Sequence, residues 1–111
     1  MVSGKVWGST QQIIMTPTFE LHRIEVNAGH RCSKHRHLHK YNAFFVEKGS
    51  LLITVWKHSG TVDKTTLTAG NFTLVPPTEF HRFEALEDTV AYEVYGVDLD
   101  HDDIEREDHG E

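Results

Sequence analysis

The chain has 111 residues, 38% of them apolar, with eleven aromatics, one cysteine and a formal net charge of −6. That is one domain's worth of core, and the lone Cys32 excludes an internal disulfide. The charge is uneven: residues 98–111 hold eight of the seventeen acids and one base, Arg106, so the body carries nine acids against ten bases and no basic face of the kind that binds nucleic acid.

The opening residues 1–8 lack the apolar stretch of a signal peptide, and no run approaches the length of a membrane span. A cytoplasmic protein is expected. Residues 19–26 alternate loosely and stop at the turn signal Asn27-Ala28-Gly29. A basic cluster comes next, His30, Arg31, Lys34, Arg36 and Lys40, which reads as solvated loop charge before it reads as an anion site. Residues 42–46 are apolar and aromatic and end at Lys48-Gly49. Residues 50–56 are rich in β-branched and aliphatic side chains and close at His58-Ser59-Gly60. The threonine-rich 61–67, then 71–75 before Pro76-Pro77, then 80–85 and 89–97 complete the set. About seven or eight short strands with turns every eight to twelve residues predict an all-β sandwich or barrel. Residues 102–108 are expected to add one terminal helical turn capped by Asp100.

The chain contains nine histidines, and their placement matters more than their number. His35 and His37 are spaced i, i+2, which on a strand puts both rings on one face. His81 follows the Pro-Pro turn and comes opposite them if a barrel closes. Three converging imidazoles repel one another when protonated, whereas neutral imidazoles suit a divalent metal ion. The expectation is one such ion, with zinc, iron, manganese and nickel all open.

Residues 29–49 resemble the first cupin motif. Gly29 is followed after five residues by His35-Arg36-His37, after four more by Asn42, and after six more by Gly49. Residues 70–85 resemble the second, with Gly70, Pro76-Pro77-Thr78, His81 and Ala85 at the motif's intervals. Asn42 stands where the family places a glutamate, Thr78 where it places a glycine, and Ala85 where it places an asparagine. A closer likeness runs along nearly the whole chain. Val6-Trp7-Gly8, the stretch 19–29, the stretch 37–49, His81-Arg82-Phe83-Glu84 and the acidic ending resemble the C-terminal cupin domain of the bifunctional mannose-1-phosphate guanylyltransferase/mannose-6-phosphate isomerase family. The nucleotidyltransferase activity of that family is not carried over. The resemblance implies a single cupin (jelly-roll) domain over 1–111, with 97–111 as an acidic C-terminal extension. It also implies metal ligation by His35, His37 and His81, with Asn42 binding weakly or through water, and association as a homodimer.

Strand alternation turns Asn42, Phe44 and Val46 to the ligand face, and His81, Phe83 and Ala85 likewise. Phe45, Glu47, Arg82 and Glu84 then point outward. On the last strand Tyr92 lies on one face and Glu93 with Tyr95 on the other, and alternation alone does not say which face is inner. If Glu93 looks inward it is the general-base candidate, with His39 as an extra ligand or proton carrier. Trp7, Trp56 and Phe80 read as core or interface, and Cys32 as a small buried residue. Three functions remain open: a metal-dependent sugar or sugar-phosphate isomerase-like enzyme, a non-catalytic module binding a small molecule such as a carbohydrate, and a metal-dependent dioxygenase.

Overall fold

The computed structural model describes residues 2–108 and 110. Among them it has nine strands and no helix: β1 Val2–Lys5, β2 Gly8–Met15, β3 Phe19–Val26, β4 Tyr41–Lys48, β5 Ser50–Trp56, β6 Val62–Thr68, β7 Phe72–Val75, β8 Phe80–Ala85 and β9 Thr89–Gly96. Every strand pairing among them is antiparallel. One sheet has the order β1-β2-β3-β9-β4-β7, the other β6-β5-β8. The fold is the expected all-β cupin fold.

The two sheets share one core. Ile24 and Val26 of β3, Phe44 and Val46 of β4 and Ala91 of β9 meet Leu51, Ile53, Phe83 and Ala85 of the smaller sheet, all at most 2% exposed. The alternation read from the sequence holds on β4 and β8. Asn42, Phe44 and Val46 are buried and Phe45 and Glu47 exposed, while His81, Phe83 and Ala85 are buried and Arg82 and Glu84 only partly so. Between β4 and β5 the chain turns at Gly49, with φ +99°. A Cβ there would meet the Asp88 carbonyl and the Thr89 hydroxyl at 2.5 Å, so only glycine fits.

Three local expectations are corrected. β1 and β2 lie outside the expected strands; they form a hairpin that extends the larger sheet past β3. The acidic ending makes no helical turn. Asp100 does cap, accepting the Asp102 amide on Oδ1 at 3.0 Å, but the chain beyond it is a turn and irregular structure. His35 and His37 do not sit on a regular strand either.

Instead, residues 29–37 run antiparallel along the free edge of β8, held by backbone hydrogen bonds. The Gly29 and Cys32 amides donate to the Ala85 and Phe83 carbonyls, and His35 and His81 exchange both bonds at 3.0 and 2.8 Å. Arg31 is bridged to Glu84 and His35 to His81. Four steps on one side, 31 to 35, therefore meet three on the other, 84 to 81, and one residue is extra, as in a β-bulge. Without it Lys34 would face His81. With it, outward Arg31 meets outward Glu84 while inward His35 meets inward His81. The irregularity leaves the Phe83 amide without a ladder carbonyl, and the Cys32 sulfur accepts it at 3.2 Å. Burial pushes the Cys32 thiol up to about 11, so it stays protonated in this structural role.

Thr78, in the turn before β8, has φ +76°, the left-handed region that a residue with a Cβ enters at a cost of about 1–2 kcal/mol. Its amide donates to the His37 carbonyl at 2.7 Å, and its hydroxyl lies 2.9 Å from His58 Nε2. The turn holds this geometry because it ties His37 to the foot of β8. Thr78→Gly should remove the strain at the cost of one exposed hydrogen bond. It is expected to stabilise the chain by about 1 kcal/mol, raising the thermal midpoint by roughly 4 °C in differential scanning calorimetry. An unchanged or lower midpoint would contradict this account.

Candidate metal centre

The edge segment and β8 deliver three imidazoles to one place. Ring centroids of His35 and His81 are 4.6 Å apart, those of His35 and His37 5.2 Å, and those of His37 and His81 5.5 Å. One nitrogen from each ring lies within 4.8 Å of the others. A cluster of this kind can hold a metal ion.

The hydrogen bonds around the rings say which nitrogens are free. His35 Nδ1 lies 2.8 Å from the Ser33 carbonyl, and His81 Nδ1 lies 3.0 Å from the Glu79 carbonyl. A carbonyl only accepts, so both Nδ1 atoms carry the proton and both Nε2 atoms offer a lone pair when the ring is neutral. His37 Nε2 is buried with no hydrogen-bond partner. His81 Nε2 faces Asn42 Oδ1 at 3.0 Å, so two lone-pair atoms confront each other. A second proton on His81, a turned amide or a cation beside both atoms relieves that conflict. Burial, with the neighbouring charge of His35, holds His81 below its ordinary pKa. Burial, then Lys40 and the other two histidines, pushes His37 down to about 4. The proton is disfavoured. Three converging ring nitrogens, one of them orphaned, and an amide oxygen fit a divalent cation.

Beside His35 opens a cavity of about 470 Å3 that also touches Trp7, His22, Cys32, Glu93 and Tyr95. Its size is that of a small-molecule site. The structure settles the ambiguity on β9. Glu93 is 7% exposed and faces inward, whereas Tyr92 bonds Glu47 on the outer face at 3.0 Å. The Tyr95 hydroxyl donates to Glu93 Oε2 at 2.5 Å. Burial raises the Glu93 carboxyl above its ordinary range, while the bond from Tyr95, and then the nearby His35 and His22, pull it partly back. Glu93 is thus a buried acid at the edge of the histidine cluster.

His39 is exposed and lies outside the cluster. The basic residues mostly stack on aromatics. Lys34 lies over Trp56 and Arg36 over Phe80 on the outer face, and Lys40 lies over Tyr95 at 4.1 Å while pairing with Glu20 at 3.5 Å. Glu20 also meets His22 at 3.3 Å. This Glu20–His22–Lys40 group is absent from the sequence-based candidates. Its signal is the alternation of β3, which puts Glu20 and His22 on the same face as Ile24 and Val26. Lys5, Trp7 and Thr10 also reach the cavity, from or beside the unexpected β1–β2 hairpin.

The family described as mannose-6-phosphate isomerase C-terminal matches residues 3–109. No curated protein matches the chain. Among solved structures, KdgF from Halomonas sp. is similar at 16% identity and a TM-score of 0.76, with 89% of each chain covered. CapF from Staphylococcus aureus, a capsular polysaccharide assembling protein, gives 17% and 0.79, over 93% of this chain and 30% of that one. Oxalate decarboxylase from Bacillus subtilis, described with Mn(II) centres, gives 14% and 0.79, over 87% and 27%. The chain thus spans under a third of the latter two. These likenesses bear on the fold.

The depressed histidines make a signed prediction for metal-free protein. A lowered folded pKa means that the unfolded chain binds more protons between the two values. The His37 contribution is complete above pH 6.5 and is lost as pH falls towards 4. His81 acts in the same sense, and Glu93, raised, in the opposite sense. In urea titrations of chelator-treated protein, His37→Asn should lose less stability between pH 6.5 and pH 4 than the parent. Parallel curves would refute the assignment.

Proposed function

The chain belongs to the mannose-6-phosphate isomerase C-terminal family, whose fold here is a cupin, and we propose that it is a metal-dependent isomerase-like enzyme acting on a sugar or sugar phosphate. The observation that carries this reading is the junction of a three-histidine cluster with a cavity that contains a buried acid. His35, His37 and His81 hold one divalent ion, with Asn42 Oδ1 as a neutral fourth donor. The ion supplies Lewis acidity to a substrate oxygen.

The remaining work falls to the protein. Isomerising a hydroxy-aldehyde requires a base that takes a proton from the carbon beside the carbonyl and returns it to the neighbouring carbon. Glu93 is the group for this: it is buried, raised in pKa and held by Tyr95 through one oxygen only. His39 has no part in it. Lys5 lines the same cavity and would meet an anionic end of the substrate. Arg36 and Arg82 are turned away onto Phe80 and Trp56.

A non-catalytic carbohydrate-binding role is the second reading. The observation that favours it is Asn42, which removes the carboxylate expected beside the ion. Elemental analysis and an aldose–ketose assay separate the two. Stoichiometric metal with interconversion supports the enzyme, and metal or sugar binding without turnover supports the module. Glu93→Gln, assayed at saturating metal, should lower kcat by about 10²–10⁴-fold with little change in KM. An unchanged kcat would remove Glu93 from the chemistry.

We also infer a homodimer through the outer face of the larger sheet. Leu21, Val94, Ala43 and Leu74 form one row across four strands, with Phe45 and Phe72 beside it. Phe72 is 71% exposed and Leu74 52%. Phe19, Val97 and Leu99 are exposed as well and extend the apolar face. A second copy is self-complementary to such a face. In sedimentation analysis Phe72→Asp should convert a dimer to a monomer, and a dimer that persists would place the interface elsewhere.

A further inference from the structure

We propose that Glu93 is a positioning residue for the metal site: acting through Asn42, it supplies from β9 the negative charge that the site lacks on β4. This rests on the reading of the histidine cluster as a metal centre.

The register brings the two residues together. Asn42 pairs with Tyr95 and Phe44 with Glu93, so Asn42 and Glu93 are diagonal neighbours on the inner face of adjacent strands. Both are buried, Asn42 to 1% and Glu93 to 7% exposure. The Asn42 amide has two ends. Oδ1 lies 3.0 Å from His81 Nε2. Nδ2 points the other way, towards the Ala43 carbonyl at 3.5 Å and the inner face of β9 that carries Glu93. Turning the amide over would set its oxygen against a carbonyl and a carboxylate. The Glu93 side therefore fixes which atom Asn42 presents to the histidines.

The arrangement acts on the ion in two ways. An amide whose N–H end faces a carboxylate on the next strand has a more electron-rich oxygen, because neighbouring polar groups polarise one another in a buried site. The site also acquires a negative charge one residue away from the ion, so three imidazoles and an amide need not carry a doubly charged cation unaided. Tyr95 completes the arrangement by donating to Glu93 Oε2, which pins the carboxylate to the inner wall. In effect the carboxylate has moved outward by one shell and sideways by one strand, and such outer groups typically govern metal affinity by about 10–100-fold.

The test titrates Co(II) into chelator-treated parent, Glu93→Gln and Tyr95→Phe proteins, with visible absorption and competition against a chromophoric chelator as readouts. The Glu93→Gln side chain keeps an acceptor for Asn42 but loses the charge. The variant should bind Co(II) about 10–100-fold more weakly with a shifted absorption band. Tyr95→Phe frees the carboxylate without removing it and should weaken binding several-fold, which keeps the question answerable if Glu93→Gln folds poorly. Asn42→Asp placed in the Glu93→Gln background should restore affinity, since it returns a carboxylate to the ion directly. A parent that binds no Co(II) sinks the metal reading and this inference together. A parent that binds, with Glu93→Gln and Tyr95→Phe equal to it in affinity and spectrum, sinks this inference alone.

Discussion

Everything at the site depends on one backbone pairing, the run of residues 29–37 along the free edge of β8. Its hydrogen bonds place His35 directly across from His81, and its extra residue makes that confrontation possible. Side chains on paired strands change face with every residue, so a register without the insertion would send Lys34 inward and the histidine out. The displaced cations settle on the outer aromatics, Lys34 over Trp56 and Arg36 over Phe80. That outer stacking and the inner histidine cluster are two readouts of the same register. The sulfur of Cys32 belongs to it too, because it accepts the one amide of β8 that the irregularity leaves over.

The electrostatics derive from where that pairing delivers the rings. Burial disfavours protons on His37 and His81, and the neighbouring rings, with Lys40 beside His37, add to the effect. The result is a set of lone pairs with little to satisfy them. The one buried acid beside them is pulled in opposite directions by burial and by its hydrogen-bond donors. Positive charge among the histidines would favour its ionised form, and its ionised form would favour positive charge there. The cluster and the acid are thus complementary when positive charge sits between them.

The sequence reveals the strands from β3 to β9 well, because short apolar, β-branched or alternating runs stand between turn-forming residues. β1 and β2 escape such a reading for a physical reason. They add to the sheet beyond β3 with little burial, so Gln11, Gln12, Ile13 and Ile14 carry no alternation to detect. The histidines are legible as a triplet through spacing, but the way they meet is not. The i, i+2 argument assumes a regular strand, and the convergence comes from an irregular one. The inner face of β9 is also hidden, since Val90, Ala91 and Glu93 are all buried and only the pairing with β4 says which way the acid points.

Thr78 and Asn42 are departures from the motif of different kinds. At Thr78 the backbone keeps the left-handed conformation that glycine would adopt freely, and its amide bonds the His37 carbonyl. The geometry persists and the residue bears the cost. At Asn42 the side chain keeps its place and direction, and it is the chemistry that changes. An amide where the motif places a carboxylate brings no negative charge of its own beside the three histidines. The smaller sheet and its edge segment provide the nitrogen donors, and the larger sheet provides the oxygen, the acid and most of the cavity wall. A site divided in this way exists only where the two sheets face each other, so the packing of Phe44 against Phe83 and His81 is as much a condition of the chemistry as the donors themselves.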